Sequence, residues 1–301
     1  MTATYGFKIP DNKLIAYAPT EVFIQEEKTA VATIKPSHIV MRVTDDTKVT
    51  LADGVTAPPL GIAGYEQSFL GSSSLTGNRP TAITTAYASG ARLPVMAGTN
   101  FVTRAYLTAN VSVTKGDLLA TWTGGEVIPV MRVDGKLAIK IPFTKNTSEA
   151  DTGVDLPASM YVSDCKVLVT TNVASSTIDV GLLSTESGGD LDGFLDGESC
   201  AAAGIPAHIN VDATAANNTL GVLLVEDDIK SADGTALYYS VPTRHKGDGT
   251  ATSIAYVTSS HSIAGYILLF VDSAGFEIVG RAEMSLASST SAQILLMRAT
   301  I

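Results

Sequence analysis

Apolar and polar residues alternate along most of this chain. "TAVATIKPSHIVMRVT" (29–44) alternates in this way, and "RLPVMAGTNFVTRAYL" (92–107) does so again. Such alternation is typical of strands that bury one face. Turn residues separate the segments at 45–54, 97–100, 115–117, 124–125 and 134–135. Turns spaced by about 8 to 12 residues predict a small β-barrel or β-sandwich.

The segment "TKGDLLATWTGGEVIPV" (114–130) shows this succession of strands and turns most clearly. Gly116 and Asp117 predict a turn, and Leu118 and Leu119 then return the chain to the wall of the barrel. The Gly-Gly pair at 124–125 predicts the closure of a hairpin, because glycine adopts positive φ without steric cost.

The second half of the chain alternates as well. From residue 160 onward we expect about nine short strands, with one short helix in 193–206. Nine strands in this length predict an antiparallel, jelly-roll-like β-sandwich. The predicted fold class is therefore all-β: a small N-terminal β-barrel or β-sandwich followed by the jelly-roll-like sandwich.

Composition and length set the predicted domains. A chain of 301 residues is long enough for two domains with separate cores. Residues 1–27 have no clear period and predict an extended arm, of the kind that often lies on a neighbouring subunit. We expect a barrel domain at 28–145 and an outer sandwich domain at 158–301. Between them, the polar segment 146–157, which ends in Pro157, predicts a linker.

The net charge of −10 is uneven along the chain. Residues 1–150 hold 14 Lys and Arg against 12 Asp and Glu, and the remaining residues hold 6 against 18. An acidic half is repelled by nucleic acid and by anionic membranes, so we expect neither as a partner. Two interpretations stay open: display of the acidic half at high density, or loops that only keep it soluble.

The cysteines and the N-terminus bear on the cellular compartment. Two cysteines, Cys165 and Cys200, are too few for a disulfide scaffold, so free thiols in the core are expected. The first residues lack the apolar region of a signal peptide. The apolar run at 263–271 is too short to cross a bilayer. We expect a soluble protein, or a component of a particle assembled in the cytoplasm.

One acidic segment, "ESGGDLDGFLDGES" (186–199), offers oxygen ligands for calcium through Asp190, Asp192 and Asp196. The EF-hand pattern fails at Phe194, and the glycine-repeat calcium pattern fails at Leu191. An acidic turn is the default interpretation. We predict no metal site and no cofactor, with calcium at an irregular loop as the one alternative.

Catalytic patterns are absent from the sequence. The four histidines, His38, His208, His245 and His261, lie in separate predicted strands or loops, without a Gly-x-Ser-x-Gly motif. We therefore predict that the protein is not an enzyme, and an enzyme acting on polysaccharide stays open as a third hypothesis. Loops at the end of a sandwich with aromatic side chains bind glycans or proteins. The predicted partner-binding patch consists of Tyr238, Tyr239, Arg244 and His245.

Two sequence elements stand out as short motifs. Pro59, Gly61, Ile62 and Ala63 form a "Pro-x-Gly-Ile-Ala" step, and a later hairpin pattern is formed by Gly116, Asp117, Leu119, Gly125, Val127 and Pro129. In these two elements the chain resembles the β-barrel capsid decoration, or cement, proteins of tailed viruses. The resemblance covers roughly residues 28–142. The second half is similar to accessory β-sandwich modules of virion surface proteins.

The resemblance implies a virion structural protein that decorates and stabilises the capsid. It implies the major capsid protein as partner, a homotrimer, and a place on the capsid surface after assembly in the host cytoplasm. The alternative is a tail-fibre or receptor-binding protein that recognises a host-surface glycan. The family carries no catalytic residues, so none is transferred to this chain.

Overall fold

The computed structural model describes residues 15–17, 23–64, 86–206, 222–226, 229–230, 236–237, 241–242, 244–259 and 261–301. Within these ranges the chain forms 22 β-strands and two short 3-10 helices, and no α-helix. No helix in this part of the chain is long and apolar enough to cross a membrane. The short helix expected in 193–206 is wrong, since strand Leu195–Ser199 lies there.

The strands are numbered in chain order. The first eleven are β1 (Ile15–Tyr17), β2 (Phe23–Ala30), β3 (Ile39–Arg42), β4 (Lys48–Leu51), β5 (Pro59–Ala63), β6 (Arg92–Leu107), β7 (Leu118–Thr121), β8 (Val127–Val133), β9 (Lys136–Thr144), β10 (Ala150–Asp155) and β11 (Tyr161–Thr171). The others are β12 (Thr177–Leu182), β13 (Leu195–Ser199), β14 (Val225–Glu226), β15 (Ile229–Lys230), β16 (Ala236–Leu237), β17 (Val241–Pro242), β18 (His245–Lys246), β19 (Ser253–Thr258), β20 (Ala264–Asp272), β21 (Ile278–Ala282) and β22 (Gln293–Thr300). The 3-10 helices span Thr123–Gly125 and Val222–Leu224.

The chain divides into two compact units. Unit 1 comprises Met1–Thr108, Val113–Ile128 and Ala274–Ile301, and unit 2 comprises Ala109–Ser112 and Pro129–Ser273. Unit 1 is therefore discontinuous: the last two strands return to it after the chain has built unit 2.

Unit 1 contains a closed five-stranded barrel. Its strand order is β6-β2-β4-β3-β5, and β5 pairs again with β6 to close the ring. Each strand contributes at least one side chain to a buried apolar cluster, as expected for a small barrel filled by its own residues. The cluster consists of Ala30, Ile34, Val40, Val49, Ala63, Tyr87, Leu93 and Val95.

The long strand β6 serves two sheets of unit 1. Its first half pairs with β2 and β5, and its second half pairs with β22. The change of partner occurs where Gly98 has φ 142° and Asn100 has φ 63°. Gly98 also exchanges two backbone hydrogen bonds with Ile301. Beyond β22 the sheet continues to β21 and β7, so the end of the chain completes this unit.

Unit 2 is a two-sheet β-sandwich. Sheet one has the order β8-β9-β20-β11-β18, and sheet two has the order β10-β19-β12-β13. Phe143 of β9 and Tyr256 of β19 meet edge to face between the sheets at 6.0 Å. The core contains buried residues of both sheets, which include Ile139, Ile141, Cys165, Val167, Ile267, Leu269, Ile178, Val180, Leu182 and Ile254.

The strand pairing of unit 2 is nested. β9 pairs with β20, β10 with β19, β11 with β18, and β12 with β13, all antiparallel. This nesting of four pairs into two sheets is the jelly-roll arrangement. The predicted all-β fold class is confirmed.

The units differ from the predicted domain boundaries of 28–145 and 158–301. The predicted linker 146–157 contains β10, an edge strand of the sandwich. Residues 274–301 belong to unit 1 because β21 and β22 pair with β7 and β6. Most of the predicted arm 1–27 lies outside the described residues. Its described parts, 15–17 and 23–27, pair with β6 of the same chain.

Candidate functional site

The first of the two elements that resemble the cement proteins forms strand β5, which closes the barrel. Pro59–Ala63 lies between β3 and β6, with Ile62 opposite Ile39 on one side and Met96 on the other. A Cβ at Gly61 would lie 2.6 Å from the Met96 carbonyl oxygen. Glycine at this position therefore permits the close approach of β5 and β6 on which closure of the barrel depends.

The second element forms β7, a 3-10 turn and the start of β8. Gly124 and Gly125 both have positive φ, 69° and 73°. A Cβ at Gly125 would lie 2.7 Å from the Ile39 carbonyl oxygen, whereas one at Gly124 would meet nothing within 4 Å. The Gly-Gly pair therefore does two things: both residues make the turn, and Gly125 also packs on the first residue of β3.

A group of titratable side chains lies beside this turn. The ring of His38 meets that of Tyr106 edge to face at 4.7 Å, and Lys35 Nζ lies 5.9 Å from the Tyr106 ring centre. His38 Nδ1 is buried without a hydrogen-bond partner. Burial, with the Lys35 charge as a smaller cause, lowers the pKa of His38 to about 4. Burial also raises the pKa of the Glu126 carboxyl.

This group of side chains is poorly suited to acid–base catalysis. A histidine whose conjugate acid has a pKa near 4 is neutral at physiological pH and is a weak base. No triad geometry accompanies His38, since its described partners are an aromatic ring and backbone groups. His245 and His261 belong to unit 2, and His208 lies outside the described residues.

The acidic candidates Asp190, Asp192 and Asp196 lie in unit 2 beside β12 and β13. The hydrogen bond that the protonated Asp190 carboxyl donates to Asp192, followed by burial, raises the pKa of Asp190 to about 6. Burial and the charges of Asp196 and Asp192 raise the pKa of Asp179. In the described part of the chain, no group of three or more His, Cys, Asp or Glu side chains could hold a metal ion.

The structure describes two members of the predicted binding patch, Arg244 and His245, and they lie in different surroundings. Arg244 is exposed and bridges Asp272 at 3.0 Å, on the outer face of sheet one. His245 points to the other face of β18, where its ring meets Phe194 at 5.6 Å. Arg244 directly precedes β18, whose first residue is His245, and the patch of four residues stays a prediction. Tyr238 and Tyr239 lie outside the described residues.

The outer face of sheet one carries a feature that the sequence analysis missed. Three lysines lie over three aromatic rings there: Lys140 over Tyr266 at 4.4 Å, Lys166 over Phe270 at 5.5 Å, and Lys246 over Tyr161 at 5.8 Å. We call this surface the lysine–aromatic face. The six residues are scattered over more than a hundred positions of the sequence. They come together only when β9, β20 and β11 are paired in the correct register, which the sequence alone does not give.

The lysine–aromatic face has an apolar floor. Lys140 and Lys166 flank Leu268 in register, and Leu268 is fully buried. Their stems cover this apolar surface while their ammonium groups reach the rings. The floor consists of Ala138, Leu268 and Phe270, with Met131, Val133, Leu168 and Tyr266 packed against them. These residues are separate from the core between the two sheets, which the opposite sides of the same strands supply.

The two cysteines are free and buried, as expected. Burial, followed by the charges of Asp164 and Glu198, raises the pKa of Cys165. Burial and the Glu198 charge raise the pKa of Cys200 to about 12. Both thiols are therefore protonated and inert at neutral pH.

No protein-family model matches this chain, and a search of curated proteins finds no match either.

Proposed function

We propose that the protein is a virion structural component that decorates a capsid shell and stabilises it. The observation that carries the proposal is the place of the two resembling elements in unit 1. One is the strand that closes the barrel, and the other is the β7–β8 turn packed against β3. In both, glycine permits a backbone approach, so the elements act as architecture.

The charge of the two units supports the same proposal. Unit 1 holds 12 Lys and Arg against 12 Asp and Glu, whereas unit 2 holds 8 against 18. A neutral barrel can bind a protein lattice without charge repulsion. The acidic jelly roll would project outward and keep decorated particles apart in solution.

The mechanism would be mass action. A protein that binds the assembled shell but not its dissociated subunits stabilises the shell by its own binding free energy. At a free concentration of about 100 times Kd, this amounts to about 2.7 kcal/mol per site. No catalytic group is needed for such an effect.

The test uses particles from a virus in which the gene for this protein is deleted. We expect their shells to break at a lower temperature than wild-type shells, as followed by release of DNA to an intercalating dye. Addition of the purified protein should restore the higher temperature, and unit 1 variants that do not bind should not. Shells that break at the same temperature with and without the protein would refute the proposal.

A receptor-binding protein is the second candidate function. The observation in its favour is the exposed ring of Tyr161 on the lysine–aromatic face, because aromatic rings stack on sugars. A glycan array probed with the full chain tests it. Specific binding that Tyr161→Ala abolishes would favour host recognition over decoration.

A further inference from the structure

The two sheets of the jelly roll carry opposite charge. The strands of sheet one contain five Lys and Arg and two Asp: Arg132, Lys136, Lys140, Lys166 and Lys246, against Asp164 and Asp272. The strands of sheet two contain no Lys or Arg and five acids, Asp151, Asp155, Asp179, Asp196 and Glu198. Five of the eight Lys and Arg residues of unit 2 therefore lie on the strands of sheet one.

The acidic side has a defined outer surface, which we call the acidic face. Asp151, Asp155 and Asp196 are exposed, and Asp179 is half-buried beside them. Exposed Asp192 adds its charge from the adjacent loop and is close enough to Asp179 to raise the pKa of that carboxyl. Because the sheets of a sandwich pack through their inner surfaces, the acidic face and the lysine–aromatic face point in opposite directions.

The lysine–aromatic face carries apolar side chains that are unusual on a sheet face in contact only with water. Sheet one already buries its inner side chains against sheet two, yet Leu168, Tyr266, Met131 and Val133 lie half-buried on its outer side. An apolar patch rimmed by charges is typical of a protein interaction site. Asp134 and Asp164 pair with Lys166, and Asp272 pairs with Arg244. Lys136, Lys140 and Lys246 keep this side of the sheet net basic, and the complementary acidic surface is present on every copy of this chain.

We propose that copies of this protein associate head to tail, with the lysine–aromatic face of one jelly roll bound to the acidic face of the next. A two-fold contact through the lysine–aromatic face would place lysines of one copy against lysines of the other, which is unfavourable. The contact between unlike faces is heterologous, so it closes a ring if the rotation permits and otherwise grows a filament. This inference does not rest on binding to a capsid.

Salt dependence is the first expected property. Exposed ion pairs are screened over a Debye length of about 10 Å at 0.1 M salt and about 3 Å at 1 M. Sedimentation velocity of the purified full chain should therefore show oligomers at low salt that dissociate at 1 M salt. The proposal expects a Kd of about 100 μM or tighter at low salt, so a chain that stays monomeric up to that concentration would overturn it.

Charge reversal supplies the decisive test. One variant combines Lys140→Glu with Lys246→Glu, which makes both faces acidic. The other combines Asp151→Lys, Asp192→Lys and Asp196→Lys, which leaves three lysines against Asp155 and Asp179 on that face and makes both faces basic. Each variant alone should associate about tenfold more weakly or not at all, because like charges would meet. Mixed in equal amounts, the two variants should assemble again, since each then meets a face of opposite charge.

Recovery on mixing separates an interface from a folding defect, because a misfolded variant cannot recover by meeting another variant. Lys115→Glu, an exposed change in a turn of unit 1, is the control for altered net charge and should associate like the wild type. Two variants that associate as well as the wild type, or a mixture that stays monomeric, would contradict the proposal. Binding of the wild-type chain to an acidic glycan through the lysine–aromatic face, without self-association, would also contradict the proposal. No shells are used, so this test can fail or succeed independently of the decoration function.

Discussion

Replacement of Gly125 by alanine should damage unit 1 far more than the same replacement at Gly124. The two residues are neighbours in one turn and have nearly equal φ values, 69° at Gly124 and 73° at Gly125. They differ in surroundings. A Cβ at Gly124 would enter open space, whereas a Cβ at Gly125 would lie 2.7 Å from the Ile39 carbonyl oxygen and 3.0 Å from His38 Cβ.

The expected magnitudes follow from these two facts. An alanine with left-handed backbone costs about 1–2 kcal/mol, and the stiffer unfolded chain returns about 0.4–1 kcal/mol. Both variants share these contributions. Gly125→Ala adds overpacking against backbone atoms that cannot rotate away, which costs about 1–3 kcal/mol more. For a unit of this size, that difference lowers the melting temperature by about 2–12 °C.

The chain provides its own probe for this experiment. Trp122 is the only tryptophan, is buried, and directly precedes the turn in unit 1. Thermal unfolding followed by its fluorescence therefore reports unit 1 selectively. We expect the order wild type, Gly124→Ala, Gly125→Ala from most to least stable. If Gly124→Ala were as unstable as Gly125→Ala, the close approach of the turn to β3 would be incorrect.

Three further predictions concern the C-terminus, pH and the thiols. A chain that ends at Ser273 lacks β21 and β22, so unit 1 should not fold and Trp122 emission should shift to the red; unchanged emission would contradict the assignment of these strands. Because Asp192 and burial raise the pKa of Asp190 to about 6, the folded unit 2 holds a proton that the unfolded chain releases near pH 4. That stabilisation is complete below about pH 4 and is lost as pH rises through 6. Unit 2 should therefore melt at a lower temperature at pH 7 than at pH 5, and Asp192→Asn should reduce this difference; an equal difference in both proteins would refute the cause. Cys165 and Cys200, buried with raised pKa values, should react slowly with a thiol reagent at pH 8 and rapidly in denaturant; fast labelling of the native chain would show that they are accessible.

Period-two alternation was enough to predict an all-β chain and to locate most of its strands. β11, β19 and β20 are among the short strands expected from residue 160 onward. Such local signals work because each strand buries one side of itself, whatever its partner. The Gly-Gly turn was also predicted correctly, since positive φ is a local property of glycine.

Features that depend on pairing between distant segments were not predictable in this way. The return of β21 and β22 to unit 1 rests on hydrogen bonds across more than a hundred residues, and nothing in their own sequence distinguishes them from strands of the sandwich. The polar segment 146–157 predicts a linker, yet it contains an edge strand, which exposes one side and needs few apolar residues. The lysine–aromatic face was missed for the same reason: its residues meet only in the register of β9, β20 and β11.

The central proposal is that the protein decorates a capsid shell. Immunogold electron microscopy of particles from the source, with an antibody against unit 2, tests it most directly. The account predicts label spread evenly over the particle heads. Label confined to a tail or to a single vertex, or particles without any label, would contradict it.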